Sequence, residues 1–338
     1  MIGPRRIRSS RRPALASLLA CAGAVAVAAC GGGGGSGSGR PATSTPTMPS
    51  TLQTSTSTTS GPATLPGVRA GLVVGIGEQQ TAMFSSPLFR ALALHDAHLV
   101  IWYDALRVPS ERALVDSWLQ AAAAAGVRPF ITFQYSRQHP KQLPSVATFR
   151  AAFRAFHKRY PQVRTFSPWN EINHVSQPTS KSPARAAEYY DVVKADCRGC
   201  TVLAGDLLDQ PGMTRYLAAY RRHLDGTPRI WGLHNYADAN RFRKTGLRSL
   251  LKAVPGDVWL TETGGIVAFG RSFPRDEKRA ARATDYVLGL AADTPRVKRI
   301  YLYNWTGSAP GARFDSGLIG PDGKPRPAYE VLLGALGG

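Results

Sequence analysis

Cysteine is scarce in this chain, with four residues among 338. Cys21 and Cys30 lie in an N-terminal segment of unusual composition. The remaining pair, Cys197 and Cys200, is separated by two residues, and no second pair of Cys or His ligands is evident. A structural zinc site normally takes four such ligands. No thioredoxin-like pattern surrounds the pair either, so the spacing favours a local disulfide over a metal site or a redox-active CxxC.

Acidic residues are also few, because 22 Asp and Glu stand against 42 Lys and Arg, for a formal net charge of +20. A surface this basic could bind nucleic acid, but the sequence contains no nucleic-acid-binding motif and starts with a pattern typical of exported proteins. We therefore expect no nucleic-acid partner. The charge is interpreted as a solvated basic surface or, alternatively, as attraction to an anionic cell envelope.

Long hydrophobic runs are absent, and the nearest candidate lies at the N-terminus. Residues 1–13 contain five arginines and no acid, and residues 14–29 are almost wholly small and apolar. This pattern indicates an export signal, and its apolar part is too short for a comfortable membrane span. It ends in Val27-Ala28-Ala29-Cys30, which resembles a bacterial lipobox and implies cleavage before Cys30 and acylation of its sulfur.

Two alternatives follow for the location of the protein. Acylation of Cys30 would anchor it to the cell membrane facing outward, whereas cleavage at an ordinary small-residue site would leave Cys30 incidental and the protein secreted. We favour the lipid anchor, because residues 30–69 are rich in Gly, Ser, Thr and Pro and suit a disordered tether. Residues 1–29 are then the signal peptide, and residues 70–338 form one exported domain.

From about residue 70 onward, apolar β-rich runs alternate with helical patterns. Such alternation indicates a parallel sheet covered by helices, and eight repeats in a domain of this size match the (β/α)8 or TIM barrel, an α/β fold. The helical patterns lie at 110–126, 145–161, 182–196 and 276–293. The predicted strands are 71–77, 98–104, 127–134, 163–169, 201–207, 229–236, 257–262 and 298–305.

A glycine-rich dinucleotide-binding loop is missing from this domain. The first predicted strand runs into GIGEQQ (75–80), which lacks the third glycine of the GxGxxG pattern. The competing architecture is an open, doubly wound sheet, and the missing motif leaves it without support. We therefore expect a single barrel domain.

Polar and aromatic residues follow every predicted strand. In a (β/α)8 barrel the carboxyl ends of the strands meet at one end and form the active site. Glu171 ends the fourth strand within SPWNEINH (167–174), and Glu262 ends the seventh within LTETGG (260–265). A carboxylate is costly to bury unless it is paired, so a place at the barrel mouth explains both positions. The other strand ends are Glu78-Gln79, Tyr103-Asp104, Gln134-Tyr135, Asp206, His234-Asn235-Tyr236 and Asn304-Trp305.

This arrangement resembles clan A, the large clan of retaining glycoside hydrolases with (β/α)8 barrels. The clan has an Asn-Glu motif after strand four and a second Glu after strand seven, matched here by WNEIN (169–173) and Glu262. HNY (234–236) and Trp305 also match its pattern, and glycoside hydrolase families 5, 39 and 128 are all near. The chain departs from the clan at Ile172, where proline is common.

The resemblance implies a function and a set of roles. Glu171 would be the acid/base and Glu262 the nucleophile of a double displacement that cleaves O-glycosidic bonds of a polysaccharide or oligosaccharide. The implied substrate-binding residues are Asn170, which would donate to the sugar 2-hydroxyl, and Trp305, which would form the apolar floor for the sugar ring. His234 would help to fix the polar network of the site, and Tyr236 would hydrogen-bond Glu262 and keep it ionised and oriented.

A retaining mechanism needs two carboxyls roughly 5–5.5 Å apart and implies neither a metal nor another cofactor. We expect a monomer that acts on a carbohydrate. Two alternatives remain open: a lipoprotein that binds sugar without turnover, and a transglycosylase that uses the same residues. The presence of both Glu171 and Glu262 argues against the first, and the sequence does not separate the second from hydrolysis.

Overall fold

A computed structural model of the protein describes residues 68–337. The predicted export signal, the predicted lipid site Cys30 and residues 30–67 of the predicted tether lie outside the described residues. Among the helices of residues 68–337, none is both long enough and apolar enough to cross a membrane.

Parallel strands build the main sheet of the domain. The strands of the described chain are β1 Val73–Gly77, β2 Asp96–Trp102, β3 Arg128–Gln134, β4 Thr165–Ser167, β5 Thr201–Val202, β6 Asp206–Leu208, β7 Ile230–His234, β8 Asp257–Thr263, β9 Ala268–Phe269, β10 Val297–Tyr303 and β11 Phe314–Asp315. Their order in the main sheet is β5-β4-β3-β2-β1-β10-β8-β7-β6, while β9 and β11 form a separate antiparallel pair.

The two ends of this strand order belong to one stretch of chain. Only Leu203, Ala204 and Gly205 separate β5 from β6, and this stretch bonds to both of its neighbours. Leu203 N donates to Phe166 O of β4 (2.9 Å), and Ala204 N donates to Ile230 O of β7 (2.9 Å). The sheet is therefore closed, with β5 and β6 together forming one barrel strand. The predicted (β/α)8 barrel is confirmed.

The break between β5 and β6 makes room for the loop that follows β4. Gly205 has a φ of +121°, which strongly favours glycine, and a Cβ there would come within 3.2 Å of Ile172 Cδ1. Ile172 N in turn donates to Asp206 O (2.8 Å). The glycine thus lets the loop carrying Glu171 approach the neighbouring strand closely.

Helices cover the outside of the barrel. Those of the described chain are α1 Ala82–Ser85, α2 Pro87–Ala91, α3 Pro109–Ala124, α4 Val146–Arg159, α5 Pro183–Asp196, α6 Met213–Arg221, α7 Tyr236–Asn240, α8 Thr245–Ala253, α9 Glu277–Ala292 and α10 Pro327–Ala335. The four helices predicted from the sequence correspond to α3, α4, α5 and α9. Ser145 caps α4 by accepting a hydrogen bond from Thr148 N (3.1 Å). Asp276 caps α9 by accepting one from Arg279 N (2.8 Å).

Aromatic packing fixes α4 against the barrel. Phe149, Phe153 and Phe156 of α4 each meet Phe133 of β3 edge-on, with ring centroids 5.9, 6.0 and 5.4 Å apart. All three are at most 2% exposed. Burial of a Phe side chain contributes roughly 1.5–3 kcal/mol. This interface therefore holds β3, and with it the adjacent β4, in a fixed position.

Cys197 and Cys200 are joined as a disulfide just after α5, with their Cα atoms 5.5 Å apart. Thr201 then opens β5, so the bridge lies at the end of the barrel where the strands begin. His157 of α4 packs beside it, with Nε2 3.5 Å from Cys197 Sγ. The bridge closes a very short loop at the end opposite to the carboxyl ends of the strands, so it constrains little of the chain.

Candidate active site

Glu171 lies in a tight turn directly after β4. Its backbone φ is +41°, in the left-handed region that residues other than glycine rarely occupy. Hydrogen bonds hold the turn on both sides. Asn170 N donates to Phe133 O (2.7 Å), and the next residue, Ile172, donates to the strand β6. Glycine would relieve the strain but would remove the carboxylate, so the strained backbone marks Glu171 as a candidate functional residue.

Glu262 lies near the carboxyl end of β8 and reaches the mouth through an irregularity in the sheet. β7 and β8 pair regularly up to Leu233 and Leu260, and the next pair joins His234 to Glu262. One residue of β8 is therefore passed over, as in a β-bulge. The shift places His234 and Glu262 side by side at the end of the barrel, where their side chains meet.

His234 joins the two glutamates. Its Nδ1 lies 3.3 Å from Oε1 of Glu171 and 3.6 Å from Oε2 of Glu262. The nearest oxygens of the two carboxyls are thus less than about 7 Å apart, which accommodates the spacing of a retaining mechanism. Glu171 is 1% exposed, Glu262 4% and His234 0%. The three groups therefore interact where solvent screens charge only weakly.

Burial and proximity couple the charges of these groups. Burial alone would lower the pKa of His234, but the carboxyls of Glu262 and Glu171 raise it to about 9. Burial raises the pKa of Glu262 to about 7, although His234 acts in the opposite direction. At neutral pH the imidazole is therefore a cation, and Glu262 gains or loses its proton near neutrality.

Tyr236 contacts Glu262 from the first position of α7, just after β7. It is fully buried, and its hydroxyl donates to Oε2 of Glu262 over 3.4 Å. Burial raises the pKa of Glu262, and this hydrogen bond offsets part of the rise. The ring meets Phe314 edge-on with centroids 6.1 Å apart, which fixes its orientation. The structure thus brings His234 and Tyr236 of the HNY motif and Glu262 of LTETGG into one cluster.

Asn170 precedes Glu171 in the same turn and is 7% exposed. Its side-chain Oδ1 is buried and has no hydrogen-bond partner within residues 68–337. A buried amide oxygen without a partner is costly, so this side chain is suited to a ligand that brings a donor. Contact of Asn170 with a sugar 2-hydroxyl stays a prediction.

The structure contradicts the predicted role of Trp305. The side chain is 4% exposed and packs edge-on between Phe89 of α2 (5.7 Å) and Tyr329 of α10 (6.1 Å). It therefore belongs to the core and offers no face to a sugar. The reason lies in the strand end, because β10 stops at Tyr303 and not at the predicted residue 305. Side chains alternate only along a continuous strand, so the pattern no longer directs position 305 toward the mouth.

Tyr303 is the partly exposed aromatic residue at the end of β10. It pairs with Gly77 of β1, where a Cβ would come 3.1 Å from the Tyr303 ring. The hydroxyl donates to Gln79 Oε1 over 3.5 Å, and the ring lies 6.5 Å from Phe314. Phe314 also contacts Tyr236, so Tyr303 lies beside the cluster around Glu262. The run KRIYLYNW contains three aromatic residues, and only the strand end decides which one borders the site.

His174 is a second histidine contact of Glu171 that its sequence position does not reveal. It is 1% exposed, and its Nδ1 lies 3.5 Å from Oε2 of Glu171 and 2.7 Å from Ser176 Oγ. Burial lowers the pKa of His174, so its ring is neutral at neutral pH, unlike His234. The only sequence signal is the spacing of three residues from Glu171, which brings the two together inside a turn.

A polar network lies inside the barrel beneath the two glutamates. Asp206 is fully buried and accepts hydrogen bonds from Thr261 Oγ1 (2.7 Å) and Thr132 Oγ1 (3.1 Å). Thr132 Oγ1 also lies 2.8 Å from His98 Nε2. Burial raises the pKa of Asp206 and lowers that of His98, and both shifts favour the neutral forms. Asp206 thus belongs to the barrel interior and not to the rim.

Two further acids at strand ends hold loops in place. Glu78 accepts hydrogen bonds from Gln80 N (2.9 Å) and Thr306 N (2.7 Å), which ties the loop after β1 to the loop after β10. Asp315 binds the guanidinium of Arg326 through two contacts of 2.9 Å. Because these carboxylates already have partners, neither is a candidate for chemistry on a substrate.

Comparison with known proteins supports the barrel fold. No protein-family model matches the sequence, and no curated protein matches it. A family 39 glycoside hydrolase from the gut symbiont Bacteroides cellulosilyticus WH2 is similar, with 16% identity, a TM-score of 0.53, and coverage of 78% of this chain and 63% of that chain. A GH5_18 protein from Bifidobacterium longum subsp. longum ATCC 55813 has 13% identity, a TM-score of 0.57 and 78% coverage of both chains. Native xylanase 10B from Thermotoga maritima has 10% identity and a TM-score of 0.54, covering 80% of this chain and 98% of that chain.

These similarities support the architecture and not a particular activity. Identities of 10–16% show a shared (β/α)8 barrel, which hosts many different chemistries. The chain also spans less than two thirds of the family 39 protein, at 63% of its length. The chemistry of this chain must therefore be argued from its own residues.

Proposed function

We propose that the protein is a retaining glycoside hydrolase that cleaves O-glycosidic bonds of a polysaccharide or oligosaccharide by double displacement. The observation that carries the proposal is the contact of His234 Nδ1 with both Glu171 (3.3 Å) and Glu262 (3.6 Å) at the mouth of the barrel. Retaining hydrolysis uses two carboxyls that flank one glycosidic bond. The two glutamates supply such a pair, and the similar barrels of glycoside hydrolases support it.

In the first step Glu171 is the acid and Glu262 the nucleophile. The carboxyl of Glu171 gives its proton to the glycosidic oxygen while the bond from that oxygen to the anomeric carbon breaks. An Oε atom of Glu262 forms the new bond to that carbon. One alcohol leaves, and the remaining sugar is an ester of Glu262. The strained turn at Glu171 and the two histidines beside it hold the acid in position.

In the second step the roles of Glu171 reverse. As a carboxylate it takes a proton from water, the water oxygen attacks the anomeric carbon, and the ester bond to Glu262 breaks. Two inversions leave the configuration unchanged. Each step returns Glu171 and Glu262 to the protonation states that the other step needs, so no further acid or base is required.

The free enzyme has to keep Glu262 ionised for attack. Burial raises the pKa of Glu262 to about 7, while the cation at His234 and the hydroxyl of Tyr236 hold it down. The ionised fraction therefore grows as the pH rises through 7. Activity should fall on the acid side of neutrality, where the nucleophile takes up a proton.

The test of this function begins with a screen of α- and β-linked polysaccharides and 4-nitrophenyl glycosides, including xylosides. The 2-deoxy-2-fluoro analogue of the best aryl glycoside should then leave its sugar on the enzyme. We expect one fluoroglycosyl group on the peptide that contains Glu262, and none on the matched Glu262→Gln variant, both measured by mass spectrometry. Turnover of no substrate, or a label on Glu171, would overturn the proposal.

We also propose that the enzyme acts while anchored by a lipid at Cys30, outside the cell. The support is the sequence pattern at 27–30 and the composition of the segment behind it. Cys30→Ala should move the protein out of the membrane fraction without changing kcat or KM. A variant that stays in the membrane fraction after removal of the signal peptide would contradict the anchor.

A further inference from the structure

A second concave site lies on the same face of the barrel as the two glutamates. The loop after β2, the loop after β3 and the start of α4 line an open cavity of about 370 Å³. Both loops follow carboxyl ends of barrel strands, so the cavity opens toward the side where a substrate would lie. Ligand pockets usually measure about 300–1,000 Å³, so the cavity is large enough to hold part of a sugar chain.

The cavity is lined by polar side chains that the protein leaves unused. Arg107, Gln138, His139 and Gln142 are exposed, and their side chains make no hydrogen bond or ion pair within residues 68–337. Asp104 is only partly exposed, and its Oδ1 is buried without a hydrogen-bond partner in that part of the chain. Buried carboxylate oxygens normally have a partner, so this atom is suited to a donor from outside the protein.

The loops that carry these groups are held by turns. Arg107 N donates to Asp104 O (2.8 Å) in the first loop. In the second, His139 N donates to Ser136 O (3.2 Å) and to Ser136 Oγ (3.3 Å), and Gln142 N donates to His139 O (2.9 Å). The backbone of the lining is therefore held in place before any ligand arrives, which reduces the entropy lost on binding.

The cavity is also connected to the predicted acid. Tyr103 forms part of its wall, and its ring stacks on Trp169 with centroids 6.0 Å apart and planes at 27°. Trp169 is fully buried and stands two residues before Glu171. Tyr103 N also donates to Gln134 O of β3 (2.9 Å), which fixes the wall to the sheet. The cavity therefore adjoins the strand that positions Glu171.

We propose that this cavity is a distal subsite that binds a neutral sugar unit of the same glycan whose glycosidic bond Glu171 and Glu262 cleave. The inference rests on the proposed function. A sugar hydroxyl can donate to Asp104 and accept from Arg107 or Gln142, which matches the mixture of groups in the cavity. An anionic ligand would meet the carboxylate of Asp104, and a cationic one would meet the guanidinium of Arg107. A neutral, hydroxyl-rich unit satisfies both.

The subsite predicts that length of the substrate matters and that Asp104 carries much of the effect. The probes are 4-nitrophenyl glycosides with one to five β-1,4-linked xylose, glucose or mannose residues. In the wild-type protein kcat/KM should rise with chain length. Asp104→Ala should lower kcat/KM roughly 10- to 100-fold for the long probes, as expected for a lost hydrogen bond to a charged group. It should change the one-residue probe less than about twofold.

Two further variants keep the test interpretable. Gln142→Ala removes an exposed donor and should weaken only the long probes, through KM and not through kcat. Asp293→Ala, in the loop after α9 at the opposite end of the barrel, is the matched control and should change neither probe. Equal losses for short and long probes with Asp104→Ala, or unchanged length dependence, would overturn the subsite while leaving the hydrolase intact. If the wild-type protein cleaved none of the probes and no polysaccharide, the proposed function itself would fail, and the subsite with it.

Discussion

Buried acidic residues have different partners at the two ends of the barrel. Where the strands begin, Asp96 is 4% exposed and accepts hydrogen bonds from Arg128 (2.5 Å) and Arg299 (2.7 Å). Where the strands end, Glu171 and Glu262 are equally buried but have no Arg or Lys partner within residues 68–337. They share His234 instead, and one of them has a strained backbone.

The difference separates what stabilises the fold from what performs chemistry. A buried acid that accepts charge-assisted hydrogen bonds from two guanidiniums contributes to stability. Two buried acids around one histidine repel each other when both are ionised, and such clusters of interacting titratable groups are typical of catalytic sites. Proteins tolerate such costly arrangements at functional sites. Substitutions at the two ends should therefore have separable effects on stability and on activity.

The largest expected effect is on activity, from Glu262→Gln. Without the nucleophile the glycosyl ester cannot form, and kcat should fall by more than about 10⁴-fold. Stability should stay the same or rise, because one of two mutually repelling buried carboxyls is removed. Steady-state kinetics and thermal unfolding check the two parts. Lower stability with normal activity would show that Glu262 is a structural acid like Asp96.

Trp305→Ala should have the largest effect on stability. The side chain packs between Phe89 and Tyr329, so its removal leaves a core cavity and should lower the free energy of unfolding by about 3–5 kcal/mol. The KM of the remaining folded protein should be unchanged. Urea unfolding and kinetics below the transition measure both quantities. A raised KM at unchanged stability would restore Trp305 to the sugar platform predicted from the sequence.

Asp96→Ala should weaken the fold at the other end of the barrel. It removes hydrogen bonds to Arg128 and Arg299, and because both arginines are partly exposed, they can turn to water. We expect a loss of about 1–3 kcal/mol in the free energy of unfolding. The pH dependence of kcat/KM should not move. A shifted pH profile would mean that the two ends are electrostatically coupled and would break the comparison.

Tyr236→Phe should have a small effect that appears only in the pH profile. Its hydroxyl lowers the pKa of Glu262, which burial raises to about 7, so its removal should raise that pKa further. The acid limb of the kcat/KM profile should then shift to higher pH by less than about one unit, because a shift of that size corresponds to the free energy of one modest hydrogen bond. Tyr190→Phe, on the outer helix α5, is the matched control and should leave the limb in place. A downward shift for Tyr236→Phe would contradict the contact.

The strands and most of the long helices could be predicted because their signals are local. Apolar runs and helical periodicity are properties of neighbouring residues, and α4 shows this in Phe149, Phe153 and Phe156 on one face. The break at Gly205 could not be predicted, because it depends on contact with Ile172, which is distant in sequence. The same holds for the register shift between β7 and β8, which brings His234 to Glu262.

The candidate site was predictable only in part for the same reason. Glu171 and Glu262 stand out because each ends a recognisable strand. Trp305 was placed at the rim because the last barrel strand was predicted to run to residue 305. β10 ends two residues earlier, at Tyr303, which is therefore the aromatic residue beside the site. His174 gave almost no signal, since a turn and not a periodic element brings it to Glu171. Roles that depend on strand ends and turns therefore need the structure.

The most direct test of the central claim uses Glu171→Gln with an activated substrate and azide. The 2,4-dinitrophenolate of such a glycoside leaves without protonation, so the first step should proceed. The ester on Glu262 should then accumulate, and the release of dinitrophenolate should show a burst. General acid–base assistance is worth roughly 10²–10⁴-fold, which sets the expected loss of turnover. Azide needs no base, and it should restore turnover and give a glycosyl azide of retained configuration. Rescue of Glu262→Gln with a product of retained configuration would exchange the two roles, and wild-type rates in both variants would contradict the account.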